Sequence, residues 1–516
     1  MTELLHNILG GQRIAGYGTP SELRDPVRGD VLARIDSGGL DLHAGFAFAR
    51  RSGGSALRAL GYRERAALLA RIVEVLKAHR DDYFAISTAN SGTVQADSAI
   101  DVDGAIYTVG VYARLGAALG EGALLADGDA ERLGRDAAFS VRHVQAPLRG
   151  LALLINAFNF PAWGLWEKAA PALLSGVPVV LKPASTTAWL AQRMVADVVD
   201  AGVLPPGALS VVCGASAGLL DALEPFDVVS FTGSADTAAL IRSHDAVTRR
   251  SVRVNVEADS LNAALLLPGQ DPAVLDLLVR EVAREMSQKS GQKCTAIRRI
   301  LVPQALYAEA AAAIGARLER LPVGDPRLPE VRIGALVSAA QKASVLDGLQ
   351  RLRSQTEVLY DGTAQPLLGT DAASCCVPPT LLGTRDAAGS DAAALVHDTE
   401  VFGPVATLLP YRDLDHALAL LRRGGGSLVA SLYGDDAQAL ASCAAQLADS
   451  HGRVHVVSPE AATIHTGHGN VMPQALHGGP GRAGGGEELG GLRALHFYHR
   501  RSAIQAAAGV LDALPV

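Results

Sequence analysis

A thiolate is the most reactive nucleophile among the side chains, and nearby positive charge or a helix N-terminus brings a thiol toward that state. Of five cysteines, only Cys294 stands in polar company, in "SQKSGQKCTAIRR" at residues 287–299, directly after Lys293. It lies between an amphipathic helical stretch and an apolar strand, on the kind of connecting loop that often carries reactive groups. Cys213, Cys375, Cys376 and Cys443 sit in apolar, loop-like or helical surroundings and read as structural. Asn159 leaves the end of an apolar strand in "NAFNFPAWGLWEK". Its amide there could donate to a developing oxyanion together with the backbone N–H of Cys294. Glu257 in "VEADSLN" closes another apolar strand, and burial would raise its pKa and suit it to general-base work.

Two further stretches have the chemistry of a binding turn. Lys182 and Ser185 follow the strand of "VVLKPAS", and Gly233 and Ser234 follow that of "SFTGSADTAALI". Gly233 lets a backbone approach a ligand closely. Ser234 opens a helix whose first N–H groups favour an anion such as a pyrophosphate. Taken singly, each is read more safely as an ordinary strand-to-helix turn. Only six lysines occur against forty arginines, which draws attention to Lys168, Lys182 and Lys293. The spacing Gly479, Gly481, Gly484 imitates a dinucleotide fingerprint, but it sits in a glycine-rich tail read as a loop, without a preceding strand. His465 and His468 lack companions for a metal site, and none is expected.

The elements that must position these residues follow from hydrophobic period. Residues 56–92 carry apolar side chains three and four apart and predict amphipathic helices, continued over 100–120. A polar loop at 127–136 precedes a strand at 139–148. Between 151 and 258, apolar strands alternate with helices, including a short one at "LLDALEP", and a second alternation runs from about 260 to 457. This predicts parallel sheets covered by helices on both faces, in two α/β units rather than one. A chain of 516 residues is long enough for about three folding units.

Composition excludes several classes. Charged residues are 19% of the chain, both signs are interspersed, and the net charge is −7, so no basic stripe points to nucleic acid. No apolar run reaches membrane-spanning length, and no secretory leader is expected from the first residues. Five scattered cysteines argue for a reducing, cytoplasmic setting.

Taken in order, "FNFP" with Lys168, "VVLKPAS", "SFTGS", Glu257, "GQKCTA", "EVFGPV" and "GGGEELG" resemble the aldehyde dehydrogenase superfamily from about residue 60 to 500. The resemblance implies two Rossmann-like α/β domains plus a small β oligomerisation hairpin. Residues 1–133 and 152–257 would hold NADP, 258–482 would form the catalytic domain, and 134–151 with 483–516 would bridge subunits of a homodimer. It implies Cys294 as nucleophile, Glu257 as base and Asn159 as oxyanion donor. Lys168 and Glu488 would relay the base's proton, with Glu167 assisting. Lys182, Ser185, Phe158, Gly233, Ser234, Glu400 and Phe402 would line the cofactor site.

Three departures narrow this reading. Ser185 stands where the family often has Glu; a hydroxyl tolerates a 2′-phosphate that a carboxylate repels, so NADP is expected over NAD. "EADSLN" and "AFNFP" also depart from the usual patterns, and the first puts the shape of the loop after Glu257 in question. With the tail "HGGPGRAGGGEELGG" they resemble a branch acting on ring-cleavage semialdehydes carried on coenzyme A. That branch includes the dehydrogenase half of the phenylacetate ring-opening fusion protein and a stand-alone enzyme of aerobic benzoyl-CoA breakdown. The rival readings are a CoA-acylating relative, a non-catalytic NADP-binding relative and a cysteine hydrolase.

Overall fold

Five apolar segments build the first sheet because each is flanked by turns and is too short and too β-branched for a helix. The computed structural model describes residues 2–134, 139–215, 217–269 and 271–516. The sheet runs Arg253–Glu257, Val228–Thr232, Ala152–Ile155, Val179–Lys182, Leu209–Val211, all parallel, and then an antiparallel edge of Asn7–Leu9 and Gln12–Ile14. The chain builds outward from Ala152–Ile155 in one direction and then returns to its other side with Val228–Thr232. The reversal opens a crevice at the C-terminal strand ends, the usual ligand position in open α/β sheets. Asn156, Asn159, Gly233, Ser234 and Glu257 all follow or close these strands.

A second seven-stranded sheet runs Glu357–Asp361, Thr380–Gly383, Val405–Tyr411, Arg299–Pro303, Ala263–Leu266, Ser427–Tyr433, His451–Val457, parallel except at its first pair. The expected α/β alternation is therefore present twice. Phe139–Pro147 pairs antiparallel with His499–Ala507 in a smaller sheet. Residues 135–138 of the expected loop and bridging segment lie outside the described residues. No helix is long and apolar enough to cross a membrane among the described residues.

Two expected elements differ. The "LLDALEP" stretch forms turns rather than a helix, and Asp227 ties its end by accepting from Glu224 N at 2.7 Å, so the chain turns into the next strand. The glycine-rich tail is not a loop but a hairpin, Leu476–Gly479 against Gly486–Leu489, so a strand does precede the glycine spacing. That strand turns back antiparallel instead of feeding a helix, which leaves the dinucleotide fingerprint rejected. Its pattern hides it, because glycines replace the alternating apolar residues by which a strand is read.

Two helices set the catalytic elements. Trp163–Leu174 is buried almost throughout, and Asp101 of the long helix Gln95–Ala117 caps its start, accepting from Trp163 N at 2.7 Å. Asp97 of the same long helix accepts from Lys289 N at 2.8 Å and so anchors the cysteine loop. Lys289, Ser290 and Gly291 are consecutively left-handed, at φ 50, 55 and 69°. Such a run costs energy for residues with a Cβ and is held by the surroundings. Ser290 Oγ donates to Gly334 O at 3.0 Å, and Gln292 Oε1 accepts from Val337 N at 3.0 Å. A Cβ on Gly291 would lie 2.2 Å from the Gly403 carbonyl oxygen.

Gly291→Ala is therefore expected to lower stability by about 1–3 kcal/mol and to displace the loop that carries Cys294. Thermal unfolding and thiol-labelling rates test this; a variant indistinguishable from the parent in both would refute the account of the loop.

Candidate active site

The Cys294 loop is locked from beneath by the segment that departs most from expectation. Asn262 Nδ2 donates to the Cys294 carbonyl at 2.7 Å and to Ala296 O at 3.1 Å, and Ser260 Oγ donates to Asn262 Oδ1 at 2.7 Å. The "EADSLN" sequence thus builds a different support for the cysteine loop, with Glu257 still at the strand end. Lys293, the cation next in sequence, turns away: its ammonium is buried against Glu285 at 2.7 Å and Gln288 at 2.8 Å. The expectation that a neighbouring lysine prepares Cys294 fails because consecutive side chains in this turn point to different sides.

The cation beside the sulfur is His477, which the sequence reading misses. Its Nε2 lies 3.9 Å from Cys294 Sγ and 3.4 Å from Glu257 Oε1, and its Nδ1 lies 2.9 Å from Glu167 Oε2. Glu167 Oε1 accepts from Lys168 Nζ at 2.5 Å, and Lys168 Nζ meets Glu488 Oε2 at 2.9 Å. Ser230 Oγ and Asn255 Nδ2 both donate to Glu488 Oε1. A line of hydrogen bonds and close ion pairs thus runs Cys294 and Glu257, His477, Glu167, Lys168, Glu488. It joins the cysteine loop, a strand end, one helix and both strands of the tail hairpin.

Its charges are set by burial against mutual attraction. Burial alone would raise the Glu257 carboxyl, but the His477 and Lys168 cations more than offset it and bring it down to about 2. The expected upward shift of Glu257 is therefore reversed, because the carboxylate is buried with cations rather than alone. Burial opposes the His477 imidazolium, yet the Glu257 and Glu167 carboxylates hold it well above the usual histidine range. Burial likewise opposes the Lys168 ammonium, which Glu167, Glu488 and Glu257 nonetheless raise. Burial raises Glu488, with Lys168 pulling against it. Burial, then Glu257, push the Cys294 thiol up to about 12, and His477 pulls it back. Two groups thus act on the sulfur with opposite sign.

An apolar tunnel of about 220 Å³ leads to Cys294, walled by Ile100, Tyr107, Phe160, Trp163, Val471 and Met472. Behind the sulfur, Asn156, Asn159, Thr232, Glu257 and Glu167 line a cavity of about 20 Å³, room for about one water. Asn159 is brought to this cavity beside Cys294. Asn156 is a second missed residue: it is 6% exposed, and neither amide atom has a hydrogen-bond partner among the described residues. A signal exists, since an Asn closing a buried strand is costly unless something pairs with it.

Lys182, Ser185, Gly233 and Ser234 close or follow strands of the first sheet, and Glu400 and Phe402 lie on the segment leading into Val405–Tyr411. Lys182 Nζ donates to Pro183 O at 2.7 Å, which uses one of the donors of an ammonium, and burial pulls this lysine's pKa down. Ser185 is exposed and its hydroxyl donates to Gly214 O at 3.2 Å. Ser234 caps the Ala235–Ser243 helix, accepting from Thr237 N at 3.3 Å. A Cβ on Gly233 would meet the Phe231 ring at 2.5 Å, so the turn keeps its backbone bare. Glu400 accepts from Ser260 N at 3.3 Å with Oε2, its Oε1 makes no hydrogen bond among the described residues but lies 3.9 Å from Arg298 Nε, and burial raises the carboxyl to about 7 against the pull of Arg298. Phe402 packs edge-on to Phe158 at 5.7 Å. Spare ammonium donors, a carboxylate oxygen without a hydrogen bond and a bare turn before a helix N-terminus fit the hydroxyls and phosphates of a dinucleotide. His465 and His468 do not form a cluster: His465 faces His455 at 3.4 Å, and His468 bonds Ser431 and Thr295 O.

The aldehyde dehydrogenase family model matches residues 15–504. A 3,4-dehydroadipyl-CoA semialdehyde dehydrogenase of Aromatoleum evansii is 54% identical over 480 residues, 92% of this chain and 93% of the relative. A betaine aldehyde dehydrogenase of Vibrio vulnificus strain CMCP6 is 26% identical over 506 residues, 97% of each chain. Among solved structures, the lactaldehyde dehydrogenase of Escherichia coli superposes with a TM-score of 0.84 at 22% identity, covering 98% of this chain and 99% of that one, and shares the fold. The chain belongs to the aldehyde dehydrogenase family and is an aldehyde-oxidising oxidoreductase.

Proposed function

We propose that this chain oxidises a coenzyme A-linked semialdehyde, 3,4-dehydroadipyl-CoA semialdehyde, to the carboxylic acid through a thioester on Cys294, with NADP as hydride acceptor. The observation that carries the reaction is the line of hydrogen bonds and close ion pairs from Cys294 and Glu257 through His477, Glu167 and Lys168 to Glu488 at the floor of an apolar tunnel. The substrate name rests on the Aromatoleum relative. The absence of a carboxylate at position 185, with Lys182 nearby in sequence, supports NADP.

Glu257 passes the thiol proton on into the polar chain and returns to its carboxylate form, and the developing thiolate is stabilised by the His477 imidazolium 3.9 Å away. The sulfur then adds to the aldehyde carbon, and Asn159 with the Cys294 backbone N–H holds the oxyanion. Lys182, Ser185, Phe158, Gly233, Ser234, Glu400 and Phe402 would hold the dinucleotide, whose nicotinamide supplies the hydride acceptor. Glu257 then deprotonates the water that hydrolyses the thioester. The proton leaves by His477, Glu167 and Lys168 to Glu488, so that His477 connects the base to the lysine relay. A buried base without such an exit would stay protonated after one turnover. This base also favours the hydrolytic reading over a CoA-acylating one.

The same reading includes a cytoplasmic homodimer. Among the described residues the His499–Ala507 strand pairs on one side only, and it is exposed along most of its length, which leaves an open edge for a partner.

The defining experiment is a steady-state comparison of free and CoA-linked semialdehydes with NADP and NAD. Preference for the CoA-linked substrate and NADP is expected; equal use of free aldehydes, a requirement for added CoA, or NAD preference would overturn the corresponding part. Ser185→Glu is expected to shift the NADP/NAD ratio toward NAD, and an unmoved ratio would count against Ser185.

Two variants separate the roles of the charges around the sulfur. In the pH profile of Cys294 alkylation by iodoacetamide, His477→Gln should move the rise to higher pH and Glu257→Gln to lower pH. Shifts of the same sign would contradict the opposed electrostatics. Glu488→Gln should lower steady-state turnover by about 10²-fold while a first-turnover burst of NADPH persists. Loss of burst and turnover together would remove Glu488 from the relay.

A further inference from the structure

We propose that Cys294, His477 and Glu257 form a three-ligand site for a thiophilic divalent cation, zinc above all, whose binding reversibly silences the enzyme. One ligand atom from each residue, a sulfur, an imidazole nitrogen and a carboxylate oxygen, lies within 4.8 Å of the others. The Nε2–Oε1 and Sγ–Nε2 separations are 3.4 and 3.9 Å. Tetrahedral zinc with bonds of about 2.0–2.3 Å sets such atoms about 3.3–3.6 Å apart, so the imidazole–carboxylate pair is already at that spacing and the sulfur, within 4.8 Å of both, has to be drawn in toward them. The three residues come from a strand end, a loop and the tail hairpin, and no sequence spacing announces them.

The supporting contacts are those a metal-binding histidine needs. Glu167 Oε2 lies 2.9 Å from His477 Nδ1, which leaves Nε2 as the coordinating nitrogen. Such carboxylate–histidine pairs orient metal ligands and typically change affinity by about 10–100-fold when lost. Thr232 Oγ1 donates to Glu257 Oε2 at 3.4 Å, and the other oxygen, Oε1, has no hydrogen-bond donor among the described residues. The fourth coordination position opens on the tunnel, where water can complete it. On binding, the sulfur enters as thiolate and the imidazole as its neutral form, and their protons go to solvent. The metal then holds the nucleophile and the base at once, so occupancy excludes aldehyde addition. This consequence rests on the proposed roles of Cys294 and Glu257; the binding itself does not.

The test is titration of chelator-treated enzyme with zinc and with cobalt. One equivalent should bind, cobalt should give a thiolate-to-metal charge-transfer band, and inhibition should be competitive with aldehyde and reversed by EDTA. Cys294→Ala and His477→Gln should each lose the band and weaken binding by about 100-fold or more. Glu167→Gln, which touches no metal, should weaken it by about 10–100-fold. The Cys375→Ser/Cys376→Ser double variant should bind as the parent does. Circular dichroism establishes that each variant is folded. Unchanged binding in Cys294→Ala, loss of binding confined to the Cys375/Cys376 variant, or no stoichiometric uptake would overturn the proposal. Binding and spectrum are read without turnover, so a failed substrate assignment leaves this test intact.

Discussion

The whole centre depends on placing three carboxylates and two cations out of water in a single line. Each ion alone would cost several kcal/mol to bury, and removing one partner from such an arrangement typically costs about 3–5 kcal/mol. The line Glu257, His477, Glu167, Lys168, Glu488 is tolerable only because each inner member touches a neighbour of opposite sign. The outermost carboxylate is held further by Ser230 and Asn255 from the sheet beneath. The same feature that keeps these charges buried gives protons a route between them.

Packing then explains why the chain needs so much scaffold for so few atoms. Asp97 and Asp101, buried on one long helix, fix the backbone of the cysteine loop and the start of the helix carrying Glu167 and Lys168. Asn262 fixes the carbonyl of Cys294 from the approach to the second sheet. The sulfur and its partners are thus referred to rigid elements on all sides, which is the condition for donors and bases to be aimed before the substrate arrives.

Much of this is legible in sequence. Alternating apolar strands and helices predict both parallel sheets, and Cys294, Glu257, Asn159, Glu167, Lys168 and Glu488 do converge on one line or cavity. What escapes is instructive. Lys293 looks like the cation for Cys294 only if adjacency in sequence is taken for adjacency in space, whereas its ammonium serves Glu285. His477 is hidden at the head of a glycine-rich run whose strand character has no apolar period. The direction of the Glu257 pKa shift is misread for the same reason: its depressing cation comes from that unread segment. Local pattern predicts what a segment is, but the field at a buried group is the sum of segments far apart in the chain.

The tail hairpin carries a temporal consequence. The cysteine, the first carboxylate and the helix pair are all translated before residue 300, yet His477 and Glu488 come from Leu476–Gly479 and Gly486–Leu489. The thiol is therefore synthesised well before the imidazole that draws it toward its thiolate. During that interval the sulfur lacks both its cation and the far end of the proton route, so the centre is completed only when the last strands dock.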